Sequence, residues 1–112
     1  RTVRPNLRSG DTAMVGGTLD EKAVRAGIDA RKSQILQCYD RALADDPSLH
    51  GRLQLRFTIG LEGTVTEASI GDNELGASVG SCAAMRVRRW RFPKPEGAAV
   101  VVSKVFVFDP GN

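Results

Sequence analysis

The chain encodes an α+β domain in the order helix, strand, strand, helix, strand, with a three-stranded antiparallel or mixed sheet carrying both helices on one face. Three observations lead there. Apolar residues recur at helical spacing from Leu19 to Leu43. A strict two-residue alternation from Arg52 to Ile59 returns after a glycine-flanked turn. A second amphipathic stretch ends in Arg88-Arg89-Trp90-Arg91-Phe92-Pro93-Lys94-Pro95-Glu96-Gly97 and runs into a β-branched segment. A chain of 112 residues suits one domain with a modest core.

Residues 1–17 contain Pro5, Gly10, Gly16 and Gly17 with scattered apolar side chains and no period, so they are expected to be a flexible linker or tail. The folded domain is expected over residues 18–109, with 110–112 as a short tail. Thr18 followed by Glu21 fits a capping box and predicts a helix start. Val24, Ile28, Ile35, Cys38 and Ala42 then lay one apolar stripe, broadened by Leu43. Pro47 disfavours helical geometry in the residue before it, which ends the helix near Asp45 or Asp46 and leaves His50 in a loop.

Leu53, Leu55, Phe57 and Ile59 point one way while Arg52, Gln54, Arg56 and Thr58 point the other, the signature of a half-buried strand. Gly60-Leu61-Glu62-Gly63 supplies a hairpin turn, and Thr64 to Ile70 the returning strand. Val65 is out of phase with Ala68 and Ile70, which predicts a bulge or twist near Thr66. Val79, Cys82, Ala83 and Trp90 mark the inner face of a second helix, with Met85 at its margin. Pro93 and Pro95 stop helical propagation. From Ala98 to Phe108 both faces are apolar, the strongest strand signal in the chain.

A helical crossover between the second and third strands is right-handed and leaves them parallel, so the first strand is expected between them and antiparallel to both. The last strand then lies at an edge.

Composition narrows the chemistry. Sixteen cationic side chains face thirteen acidic ones for a formal charge of +3, a weak argument for a nucleic-acid partner. No apolar stretch approaches the roughly 20 residues that cross a bilayer. The first residue is Arg and no signal-peptide pattern follows, so the sequence is expected to be a piece of a longer protein whose targeting segment lies outside it. There is no glycine-rich phosphate loop, two-histidine helix or nucleophile elbow. No catalytic residue, cofactor or metal site is expected. Cys38 sits on the core face of a helix, about three turns and a proline away from His50, a poor arrangement for a catalytic dyad. Cys38 and Cys82 read equally well as two buried thiols or as one disulfide formed in an oxidising compartment. Arg86, Arg88, Arg89 and Arg91 read as a solvated face favoured by the helix C-terminus, or as a basic surface for cell-wall anions, anionic lipid or an acidic protein.

The segments Gly51-Arg52-Leu53-Gln54-Leu55-Arg56-Phe57-Thr58-Ile59, Glu62-Gly63-Thr64-Val65 and Arg88 to Gly97, followed by the valine-rich strand, resemble the C-terminal domain of TonB-family energy transducers. Gly17-Thr18-Leu19-Asp20 through Gln37-Cys38-Tyr39-Asp40-Arg41, with Ser81-Cys82-Ala83, resembles the myxobacterial branch at the C-termini of adventurous gliding motility proteins. A long capped helix stands where TonB itself has a short proline-tyrosine-proline segment. The resemblance implies a periplasmic domain joined through an upstream region to an inner-membrane anchor and its motor proteins, and it favours a Cys38–Cys82 disulfide. It further implies capture of an outer-membrane or periplasmic protein by strand addition. An open edge strand is a template for another chain, and the residues expected to serve are Val101, Val102, Ser103, Lys104, Val105, Phe106 and Val107. Pairing of last strands between two copies would use the same edge and give a homodimer.

Overall fold

The computed structural model describes residues 5–111 and shows two helices and a four-stranded antiparallel sheet. The elements are β1 (Asn6–Thr18), α1 (Glu21–Leu43), β2 (Gly51–Ile59), β3 (Val65–Asn73), α2 (Ala77–Val87) and β4 (Glu96–Asp109). Of the segments expected to be linker and tail, residues 1–4 and 112 lie outside the described residues.

Alternation places β2 at the heart of the sheet, flanked by β3 and β4 as the crossover argument requires. Leu53, Leu55, Phe57 and Ile59 are all but fully buried against the helices, and opposite them Val100, Val102 and Phe106 bury the inward face of β4. The bulge falls where the phase of the sequence breaks. Thr58 pairs with Glu67 and Ile59 with Val65, which leaves Thr66 as the extra residue.

The turn after β2 needs a left-handed residue, and Gly63 supplies it at φ +84°. A Cβ there would also collide with the Phe92 carbonyl oxygen. This close approach is functional in the fold, because Phe92 N–H donates to the Gly63 carbonyl at 2.8 Å and Thr64 bridges to Arg91. The arginine-tryptophan segment is thus pinned to the β2–β3 hairpin. Trp90 and Phe92 bracket Phe57, with Phe92 stacked at 5.6 Å and Trp90 edge-on at 6.4 Å between ring centroids. Trp90 was expected on the inner face of α2. It lies beyond the helix end at Val87, where its Nε1 reaches Gln34 Oε1 on α1 at 2.9 Å.

Helix α1 begins two residues later than the capping box suggests. Asp20 is its N-cap and accepts from Lys22 N–H at 3.0 Å, because Thr18 is engaged in β1. Its buried face comprises Val24, Ile28, Ile35, Cys38 and Tyr39, with Ala42 and Leu43 half-buried. Cys38 is bonded to Cys82 of α2 across 44 residues of chain, so the two helices are stapled as well as packed.

Tyr39 is fully buried beside Phe108 and its hydroxyl donates to the Leu49 carbonyl, closing the loop that leads into β2. Burial, then the carboxylates of Asp109 and Asp46, pushes its phenol up to about 12. The unfolded phenol ionises first, near its ordinary value of about 10. The tyrosine's contribution to stability is therefore intact below pH 10 and is lost as pH rises from 10 to 12. Denaturation midpoints measured across that range should fall more steeply for the unmodified chain than for Tyr39→Phe.

The sequence expectation of three strands is corrected by β1. Asn6–Thr18 pairs antiparallel with β4 in the register Leu7 to Phe108, Thr12 to Lys104 and Val15 to Val101, with bulges between Ser9 and Thr12 and between Gly16 and Thr18. Leu7 is its one fully buried side chain, and Met14 is half-buried against the core. The segment shows no alternation because it needs little: an edge strand interrupted by bulges is held by its backbone ladder. Gly16, at φ +119°, passes so close to the Ala99 carbonyl that no side chain could stand there.

Candidate functional site

Strand β4 is interior. β1 pairs along one side and β2 along the other, so the backbone of Val101 to Val107, expected to be free at an edge, is engaged on both flanks. The correction follows directly from the folding back of the N-terminal segment. Val102, Lys104 and Phe106 point into the helical layer, while Val101, Ser103, Val105 and Val107 point to the opposite face and remain half-buried. Pairing of last strands between two copies would likewise require β1 to leave.

That opposite face carries Arg52, Gln54, Arg56 and Thr58 from β2 beside the valines of β4. Arg56 Nε donates to Ser103 Oγ at 3.4 Å. The second run of half-apolar positions in β4 is thus a sheet face shielded by long polar side chains from the next strand.

Among the described residues Lys104 is the one charged side chain in the buried interior, 4% exposed. It occupies an inward position between Val102 and Phe106, opposite Leu55 on β2 and Thr12 on β1. Its ammonium donates to the Gly10 carbonyl at 3.2 Å and to Thr12 Oγ1 at 2.8 Å. The bulge between Ser9 and Thr12 turns these acceptors toward it. No carboxylate comes within 4.0 Å of the ammonium among the described residues. Burial holds its pKa below the usual lysine range, against the pull of Asp29. A cleft of about 450 Å3 opens beside it, lined also by Arg25 and Asp29 of α1. Arg25 is already paired with Glu21 at 2.8 Å, and Asp29 accepts from Ser9 Oγ at 3.2 Å.

The sequence placed Lys104 in the candidate strand without giving it a separate role. The available signal was its phase, since it takes an inward place in a strand whose other inward residues are Val100, Val102, Phe106 and Phe108. The acceptors on β1 gave no signal, because a carbonyl at a bulge has no sequence signature.

The arginines form a second surface. Arg88, Arg89 and Arg91 are exposed around the end of α2, and Arg86 is half-buried with Nη1 3.4 Å from Gln37 Oε1. None has an acidic partner within 4.0 Å among the described residues. This surface adjoins the far end of β4 and shares no residue with the Lys104 cleft.

Cys38 presents no thiol, being bonded to Cys82, and His50 is exposed with Nδ1 2.9 Å from the Ser48 carbonyl. Among the described residues no three His, Cys, Asp or Glu side chains gather as a metal set. Among the described residues no helix is long and apolar enough to cross a membrane. Comparison with family models, with curated proteins and with solved structures gives no match.

Proposed function

We propose that this chain is a non-enzymatic, TonB-like interaction domain that binds an extended segment of an outer-membrane or periplasmic protein along β4, in the place β1 holds when no partner is present. In this reading it is the periplasmic part of an inner-membrane-anchored protein and couples a motor or energy transducer to that partner, in gliding motility. The motif resemblance of β2, the hairpin, the Arg88 to Gly97 segment and β4 supports the assignment. The observation that carries strand exchange is the lopsided anchoring of β1, which pairs with β4 from Asn6 to Thr18 yet buries only Leu7 fully. A strand held chiefly by backbone bonds can be replaced by any chain that makes the same bonds.

A library of short random peptides selected against the full chain tests this. The tightest peptides should remove the proton–proton contacts between β1 and β4 in NMR spectra and replace them with contacts from peptide to residues 101–107. Cross-linking β1 in place, with Ala13→Cys and Ser103→Cys at facing positions, should abolish that binding. Peptides that bind equally to the cross-linked chain would overturn exchange.

A second reading, in which Arg86, Arg88, Arg89 and Arg91 bind cell-wall anions, anionic lipid or an acidic protein, is supported by their lack of acidic partners. Its binding would collapse with added salt, since exposed charges are screened within about 8 Å at physiological ionic strength. Strand exchange would be far less salt-sensitive.

A further inference from the structure

We infer that the partner segment replacing β1 carries a carboxylate side chain at the position of Thr12, where it meets the buried ammonium of Lys104. This rests on the strand-exchange reading and adds the chemistry by which the partner is chosen.

Lys104 holds a positive charge on the core side of an interior strand, and β1 answers it with one carbonyl and one hydroxyl, both uncharged. Both acceptors sit on the strand that would leave. Departure of β1 would strip a buried ammonium of the only hydrogen-bond partners it has among the described residues, and an apolar replacement strand could return the carbonyl but not the hydroxyl. An incoming strand must therefore place an acceptor opposite Lys104. A neutral acceptor would only restore what β1 already gives. A carboxylate would improve on it, because it adds the attraction of an opposite charge to a bond in which only the donor is charged.

The surroundings admit such a group. The ammonium has three N–H donors and spends two on β1, and the cleft beside it gives a carboxylate room. The nearby charges leave its place open. Arg25 is committed to Glu21, and Asp29, the carboxylate with the strongest pull on Lys104, forms no ion pair with the ammonium and is bonded to Ser9, a bond that would also leave with β1. Asp11, in the β1 bulge, also exerts its pull from beyond ion-pair distance, and it would leave with β1. Neighbouring positions complete the recognition pattern. Two residues toward the C-terminal end of β1, Met14 faces Val102, and Leu7 faces Phe108 near the other end. The ligand is thus an extended segment with an acidic residue between apolar ones, all on one face.

The preference can be read in the full chain without any partner by changing β1 itself. Thr12→Asp and Thr12→Asn differ by a charge and little in shape. Hydrogen exchange of β1 amides, with β2 amides as the internal reference, should be slowed about tenfold more in the Asp variant than in the Asn variant, as expected when an uncharged acceptor of the ammonium gives way to an opposite charge. Repeating the pair on a Lys104→Met background should erase the difference, and the peptide arm needs no altered chain at all. Selected peptides should be enriched in Asp or Glu at the aligned position, and changing that residue to its amide should weaken binding about tenfold.

Equal exchange in the Asp and Asn variants, or peptides that displace β1 with no acidic preference, would overturn this inference and leave strand exchange standing. Peptides that bind with the β1 ladder intact would instead overturn strand exchange, whatever the two Thr12 variants show.

Discussion

Reduction of the Cys38–Cys82 bond is expected to lower the thermal midpoint of the domain by roughly 15 °C. The bond closes a loop of 44 residues that contains β2, β3 and the first half of α2. Confining that much unfolded chain is worth about 4 kcal/mol in the chain-entropy description. A domain of this size has a total stability of about 5 to 15 kcal/mol, so the bond supplies a large part of it. The folded state gives the same expectation. Cys38 lies on the buried face of α1 and Cys82 on α2, and the helices are also tied by Arg86 to Gln37 and, just beyond the end of α2, by Trp90 to Gln34. Scanning calorimetry with and without reductant, beside a double Cys38→Ala, Cys82→Ala variant, checks the size of the effect. The variant and the reduced protein should melt together, and titration of the unfolded oxidised chain should find no free thiol. An unchanged midpoint would show that the helices are held by packing alone.

How far the sequence foretold this structure depends on what each element buries. β2 and α1 were legible because they bury a continuous stripe, and a stripe has a period. The bulge at Thr66 was legible for the same reason, since a slipped phase is visible wherever one face is buried. β1 was not legible: its bond to the domain is a backbone ladder with two bulges, and backbone bonding leaves no mark on side-chain order. That single gap moved the candidate strand from the sheet edge to its interior and added the fourth strand. Lys104 shows the intermediate case. Its inward phase could be counted along β4, but its partners, a carbonyl and a hydroxyl on the unperiodic segment, could not. The disulfide pairing was suggested by family resemblance, and the fold supplies its physical basis by bringing the two helices together on one face.

Phe57→Ala is expected to cost about 4 kcal/mol, in the middle of the range for deleting a buried aromatic ring. Position sets the size of the loss. Phe57 is 1% exposed on the interior strand β2, with Ala68 beside it on β3 and Val102 on β4. A cavity there could close only if its walls moved, and the two largest walls are tethered. Trp90 is fixed by its bond to Gln34, and Phe92 by its backbone bond to Gly63 in the hairpin. The Trp90 ring cannot fall inward without breaking its hydrogen bond, and Phe92 can move inward only by turning its ring about a fixed backbone, so most of the cavity term should persist. Phe57→Leu keeps more of the volume and should cost about 1 to 2 kcal/mol. Urea titration distinguishes this from local damage. Because Phe57 joins the hairpin to the segment that launches β4, the midpoint should fall with little change in slope, the mark of a native state that unfolds as one unit. A reduced slope with a small midpoint shift would mean that the aromatic cluster had yielded while the rest stayed folded, and that Trp90 and Phe92 are held less firmly than their bonds require.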